Sequence, residues 1–310
     1  MKPTQNILMI RPANFGFNEE TAVSNFFQNK LTLTHQEVLN LAQLEFDGMV
    51  STLRENGVEV FVIEDTATPI KPDAIFPNNW ITTHKDGSIF LFPMQAVNRQ
   101  HERRNDILST LKKDFKVSRV VDLSHTESDK RYLEGTGSIV FDHKNKTAYA
   151  CISPRTEQEL FTYFCHEIGY RSISFTAQDA LKKEIYHTNV MMCIGEKFGL
   201  ICLESITNPI ERDKVIQSFY ENKKELIEIS IQQMNSFAGN MLEVQSKDNH
   251  SILTLSASAF ESLLPEQKER LKMHTKLVPI NIPTIEKVGG GSVRCMMAEI
   301  YLPKKSWFKQ

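Results

Sequence analysis

The chain has 310 residues, 41% of them hydrophobic and 24% charged, with 36 basic against 38 acidic side chains and a formal net charge of −2. That balance carries no basic field for a nucleic-acid partner, and the apolar runs, residues 190–194 among them, are far shorter than a bilayer requires. The N-terminus runs into a strand-like segment without a signal-peptide core, and the cysteines at 151, 165, 193, 202 and 295 form no CxxC pair; the expectation is a cytoplasmic protein with reduced thiols.

In chain order, runs rich in Val, Ile and Phe predict strands at 7–10, 58–63, 80–83, 89–92, 119–122, 139–142, 147–152 and 190–194. Amphipathic spacing predicts helices at 34–56, 99–113, 156–168, 209–222 and 259–273. Ser153-Pro154-Arg155-Thr156 reads as a helix start, and Asn208-Pro209 puts proline in a first turn. Pro265 lies inside the last predicted helix, where proline costs about 3 kcal/mol. Alternating strands and helices define an α/β class. No Pro- or Ser-rich linker or run of like charge divides the chain, so residues 1–310 read as a single domain, with no visible repeat of fixed period.

Four segments carry compositions suited to chemistry. Val288-Gly289-Gly290-Gly291-Ser292-Val293-Arg294-Cys295 offers a backbone that a ligand can approach closely. Its cysteine stands beside Arg294, whose charge favours a thiolate, although a core cysteine after a glycine loop fits the same residues. Glu134-Gly135-Thr136-Gly137-Ser138 holds a carboxylate on a glycine-rich turn just before a strand, as either a substrate-orienting group or a solvated turn residue. In His187-Thr188-Asn189 the two polar side chains, two apart at the start of a strand, point to one face; a satisfied structural histidine is the plain alternative. Phe76-Pro77-Asn78-Asn79-Trp80 has the composition of an ordinary turn.

Taken together and in this order, the segments resemble the guanidino-group-modifying superfamily of deiminases, dimethylarginine hydrolases, amidinotransferases and dihydrolases. The likeness runs from Ile10-Arg11-Pro12 to Cys295-Met296-Met297 and leans toward the citrulline-utilisation hydrolases. It implies the pentein fold, a five-fold pseudosymmetric propeller of ββαβ units. It also implies roles: Cys295 as nucleophile, His187 as general acid and base, and Glu134 as the carboxylate that binds substrate nitrogen. Arg155 is similar to the arginine that grips the substrate carboxylate, and Arg99, ahead of Glu102-Arg103-Arg104, to a second clamp. Phe76 and Asn25, in Asn25-Phe26-Phe27-Gln28, join the substrate site by the same likeness. Gly290 and Gly291 are expected to lend backbone donors to the oxyanion, an effect worth about 3–4 kcal/mol per donor.

Two departures redirect the substrate. Deiminases carry aspartate where this chain has Asn79 and Asn189, and those aspartates clasp a cationic guanidinium. Removing one partner of a buried ion pair costs about 3–5 kcal/mol, whereas an amide offers both a donor and an acceptor, which suits a neutral ureido group such as that of citrulline. The expected reaction converts citrulline to ornithine, ammonia and carbon dioxide without metal or cofactor, on a small-molecule substrate; homo-oligomerisation stays open. Its rivals are an arginine or N-substituted arginine dihydrolase or deiminase, an amidinotransferase, and a non-catalytic pentein that binds a macromolecule. If the reading holds, Cys295, His187 and Glu134 surround one small buried pocket containing Asn79 and Asn189.

Overall fold

Residues 6–64 form the unit from which the rest is built, in a computed structural model that describes residues 2–305. Strand β1 (Asn6–Arg11) pairs in parallel with β2 (Glu59–Glu64), Asn6 opposite Glu59. Parallel strands need a crossover, supplied by the helix His35–Glu55. Thr34 starts that helix through a capping box with Glu37. Its buried residues Val38, Leu39, Ala42, Phe46, Met49, Val50 and Leu53 fall three or four apart, which makes one apolar stripe.

The unit then recurs with an antiparallel strand added in front. Strands β3 (Ile81–Thr83), β4 (Ser88–Leu91) and β5 (Arg119–Asp122) enclose the helix Asn105–Asp114. Strands β6 (Ile139–Asp142), β7 (Thr147–Cys151) and β8 (Arg171–Phe175) enclose Gln158–Ile168. Next come β9 (Met192–Ile194), β10 (Phe198–Ile201) and β11 (Glu225–Glu228), crossed by Pro209–Glu221. In the last full unit β12 (Leu242–Gln245), β13 (Ser251–Ser256) and β14 (Lys276–Ile280) are crossed by Ala257–Ser262 and Pro265–Lys272. Finally β15 (Ala298–Ile300) returns to pair antiparallel with β1, which completes the first unit and closes the ring. Leading strands of neighbouring units touch: β15 with β3, β6 with β9, and β9 with β12. The fold is a pentein.

Three predicted elements differ in type or continuity. The helix expected at 259–273 breaks at Leu263 and Leu264, because Pro265 lacks an N–H and is accommodated in the first turn of a new helix. The helix expected at 99–113 is two, Val97–Gln100 and Asn105–Asp114. Between them Arg103 turns to Glu127 and Arg104 to Asp65. Residues 190 and 191 of the strand expected at 190–194 belong to the short helix Thr188–Met191, and β9 begins only at Met192. The absence of a sequence repeat is compatible with the structural one, since each unit needs only short buried strands and an amphipathic crossover. Among the described residues, no helix is long and apolar enough to cross a membrane.

Candidate active site

Each leading strand is preceded by a tight turn, and the five turns contact one another in a closed circuit. They are the 3-10 turn Pro77–Asn79, the short helices Gly135–Ser138 and Thr188–Met191, residues 236–241, and the 3-10 turn Val293–Met296. Four of these turns hold the four segments singled out from sequence.

Cys295 sits in the last turn, with its N–H donating to Ser292 O at 2.9 Å. The helix Pro283–Gly289 ends at Gly290, whose φ of +63° is the left-handed conformation that glycine adopts without strain. Burial alone does not separate Cys295 from the other cysteines, all of which are buried. Its surroundings do. Asn189 Nδ2 donates to the sulfur at 3.3 Å and Asn240 Nδ2 at 3.2 Å. By contrast burial pushes the thiols of Cys151, Cys165 and Cys193 up to about 12 and that of Cys202 to about 11, as expected of core residues.

His187 is the residue just before the helix Thr188–Met191 and Glu134 just before Gly135–Ser138, so both side chains project from turn ends. His187 Nε2 lies 2.8 Å from Glu134 Oε2. Burial lowers the histidine to about 4 against the opposing pull of Glu134, so the ring is neutral at neutral pH. Burial pushes the Glu134 carboxyl up, but the Arg155 guanidinium at 3.5 Å and the His187 bond outweigh it and hold it down at about 2. Gln95 N–H donates to its other oxygen at 2.9 Å. The result is an ionised carboxylate behind a neutral imidazole, which orients the ring as a proton carrier.

A cavity of about 20 Å³ is lined by Cys295, His187, Asn79, Arg99, Arg155, Asn25, Phe76, Tyr186 and Gly289, Gly290 and Gly291. That is room for about one water. Tyr186 also borders a second cavity of about 470 Å³. Its hydroxyl donates to Gly290 O at 3.1 Å and its ring lies under Arg155 at 4.9 Å.

Several expectations need correction. Glu134 and Asn189 do not line the cavity; each stands behind a residue that does, Glu134 behind His187 and Asn189 behind Cys295. Arg294 does not face the thiol: its guanidinium turns to Met297 O and Glu299 and lines a separate cavity. The Gly290 N–H is spent on Glu286 O at 2.9 Å as a helix cap, so it is no oxyanion donor here. Gly291 packs between Phe76 and the Cys295 side chain. The helix expected from Thr156 begins at Gln158, because Thr156 is held by Ser138 Oγ at 2.7 Å.

Both arginines are already engaged. Arg99 binds Glu102 through Nε and Nη2 at 2.9 and 3.0 Å, and donates from Nη1 to Asn79 Oδ1 at 3.0 Å. Arg155 donates to Ser24 Oγ and Thr21 O. Asn25 Nδ2 reaches Gly289 O at 3.2 Å and so anchors its segment to the glycine run. Sequence reasoning missed Tyr186, Asn240 and Asp73, a buried carboxylate 3.8 Å from Arg99 with one oxygen unpartnered. Tyr186 carried a signal, since it directly precedes His187; Asp73 and Asn240 carried none outside the fold. Among the described residues, no group of three or more His, Cys, Asp and Glu is arranged to hold a metal.

A ring of five ββαβ units around such a site defines the class, a pentein of the guanidino-modifying superfamily. Residues 11–302 match the family model for "N,N dimethylarginine dimethylhydrolase, eukaryotic", and the chain belongs to that family. Similar structures include the arginine dihydrolase ArgZ of the cyanobacterial ornithine-ammonia cycle, at 17% identity and a TM-score of 0.75. That match covers 97% of this chain but only 41% of the cyanobacterial one. The N-terminal domain of ArgZ bound to substrate matches at 18% identity and TM-score 0.74, covering 96% of this chain and 98% of the domain. DDAH from Pseudomonas aeruginosa, a cysteine-to-serine mutant complexed with citrulline, matches at 14% identity and TM-score 0.66, covering 97% and 100%. A search of curated proteins returned no match.

Proposed function

We propose that this cavity hydrolyses the neutral ureido group of citrulline to give ornithine, ammonia and carbon dioxide. One observation carries the reading: among the described residues the cavity is lined by two arginines and no carboxylate, and an amide, Asn79, stands in its wall. Arg99 occupies Asn79 Oδ1, while Asn79 Nδ2 has no partner. A guanidinium has only donors and gains nothing from that amide; a ureido oxygen accepts from it. The citrulline complex of the Pseudomonas protein supports a ureido ligand for this fold.

In the proposed sequence, Cys295 Sγ attacks the ureido carbon while the neutral His187 takes the thiol proton and passes it to the departing ammonia. Glu134 stabilises the imidazolium formed on the way. His187 next removes a proton from water, whose oxygen bonds to the carbon of the Cys295 thiocarbamate. The C–S bond breaks, the sulfur regains its proton, and the freed carbamate loses carbon dioxide to leave the amine. Arg99 and Arg155, buried in the cavity wall, supply positive potential for the substrate carboxylate.

A second reading, arginine dihydrolase, is favoured by the likeness to ArgZ. Incubation with citrulline, arginine, agmatine and N-succinylarginine, followed by ammonia, citrulline and ornithine analysis, separates the two. The citrulline reading fails if arginine yields accumulating citrulline while citrulline itself is untouched. Ammonia release without an acceptor amine argues against transfer.

A further inference from the structure

Four of the five turns at the heads of the leading strands supply the site: Asn79, Glu134, the pair His187 and Asn189, and Cys295. The turn ahead of β12 was assigned nothing, yet it occupies the equivalent place in the circuit. Its backbone is pressed against the His187 turn, since a Cβ on Gly239 would lie 2.3 Å from Val190 O. Next to that glycine, Asn240 is 1% exposed, and both polar atoms of its side chain are engaged beside Cys295. Its Nδ2 donates to Cys295 Sγ at 3.2 Å and to Asn189 O at 3.0 Å. Its Oδ1 accepts the Arg294 N–H at 3.1 Å and, when the sulfur is a thiol, the Cys295 S–H at 3.7 Å, a bond that deprotonation removes.

We propose that Asn240 is the fifth member of the site, a positioning residue that acts through Cys295. The Arg294 N–H and Asn189 O fix which way its amide faces, so an N–H points at the sulfur. With Asn189 it gives the sulfur two donors from two separate units, both from atoms outside the cavity lining. Donors to the charged form favour that form, and here they do so without covering the side from which the sulfur meets substrate. This is the role sequence gave to Arg294, whose guanidinium faces elsewhere. Hydrogen bonds suit the position better than a buried cation, because they stabilise the thiolate without fixing a charge beside a neutral substrate.

The proposal rests on Cys295 as the nucleophile but needs no turnover to be tested. The rate of iodoacetamide alkylation is followed against pH in the wild type, Asn240→Leu and Asn240→Asp, with Cys295→Ala as background. Burial pushes the other four thiols up, and subtracting the Cys295→Ala background leaves the signal of Cys295. Asn240→Leu removes the donor at similar volume; Asn240→Asp keeps an acceptor for the Arg294 N–H, so one variant remains if the other fails to fold. Both are expected to alkylate roughly tenfold more slowly at pH 7, as loss of one bond to a charged group implies, yet to reach the wild-type rate at high pH. A lower plateau with an unmoved midpoint means packing alone and overturns the proposal, as does a wild-type profile in a folded variant. If no ureido compound is turned over but the profile shifts, the substrate reading fails and the role of Asn240 stands.

Discussion

Replacing Asn79 with aspartate exchanges one buried atom of a cavity-lining residue, the unpartnered Nδ2, for a carboxylate oxygen, and leaves the bond from Arg99 Nη1 in place. Nothing is lost in the free protein except a donor, so the change acts mainly on what binds. A guanidinium about 4 Å from the new charge gains about 4 kcal/mol at an effective dielectric constant near 20, close to a thousandfold. A ureido oxygen loses its donor and meets a buried acceptor instead, which costs about 1–3 kcal/mol. Competing terms reduce the sum: Arg99 already neutralises Glu102 and lies near Asp73, and burial, opposed by Arg99, pushes Glu102 up to about 7. A new aspartate in this crowd also resists ionisation, so the assay belongs at pH 8. There the ratio of kcat/KM for citrulline to that for arginine is expected to fall at least about a hundredfold in Asn79→Asp, with most of the change from the arginine side. An unchanged ratio in a folded, active variant refutes the charge argument and leaves the Asn79 amide without a part in substrate choice.

Acid should destabilise the protein in two stages. His187 is lowered to about 4 against an ordinary 6.5, so the unfolded chain binds more protons between those values and stability falls as pH drops through that window. His84, at about 4, and His143, at about 3, are lowered mainly by burial and add the same sign. Each contributes a slope of up to about 1.4 kcal/mol per pH unit. Glu134, held near 2, contributes stability that is present above its ordinary 4.5 and lost as pH falls toward 2. Urea midpoints measured from pH 7 to 4 check the first stage; a flat profile contradicts the neutral, buried histidines. Gly137→Ala is expected to cut kcat at least tenfold with a lower Tm, because the added Cβ would lie 2.1 Å from Asn79 Nδ2 and 2.7 Å from His187 Nδ1. Normal kinetics in that variant count against the tight fit between these turns.

The chemistry of this site was legible in sequence wherever local backbone demands and reactive side chains coincide. Gly289-Gly290-Gly291 before Cys295, and Gly135 and Gly137 after Glu134, are needed because chains pass within contact distance there, and that need is written in residue type. The crossover helix His35–Glu55 was legible for a similar reason, since its cap and apolar stripe are short-range patterns. Side-chain direction was not. Arg294 adjoins Cys295 in the chain yet faces the opposite way, and Arg99, expected to hold a substrate carboxylate, spends its fork on Glu102 and Asn79. Asn240 carries no local signal at all; it matters only because closure of β15 onto β1, across almost the full chain length, brings the Cys295 turn against the turn ahead of β12. Residue type and spacing thus determined which groups this protein can use. Tertiary structure decided which atoms face the sulfur and which face the cavity, because hydrogen-bond partners from distant units are available only once the ring has closed.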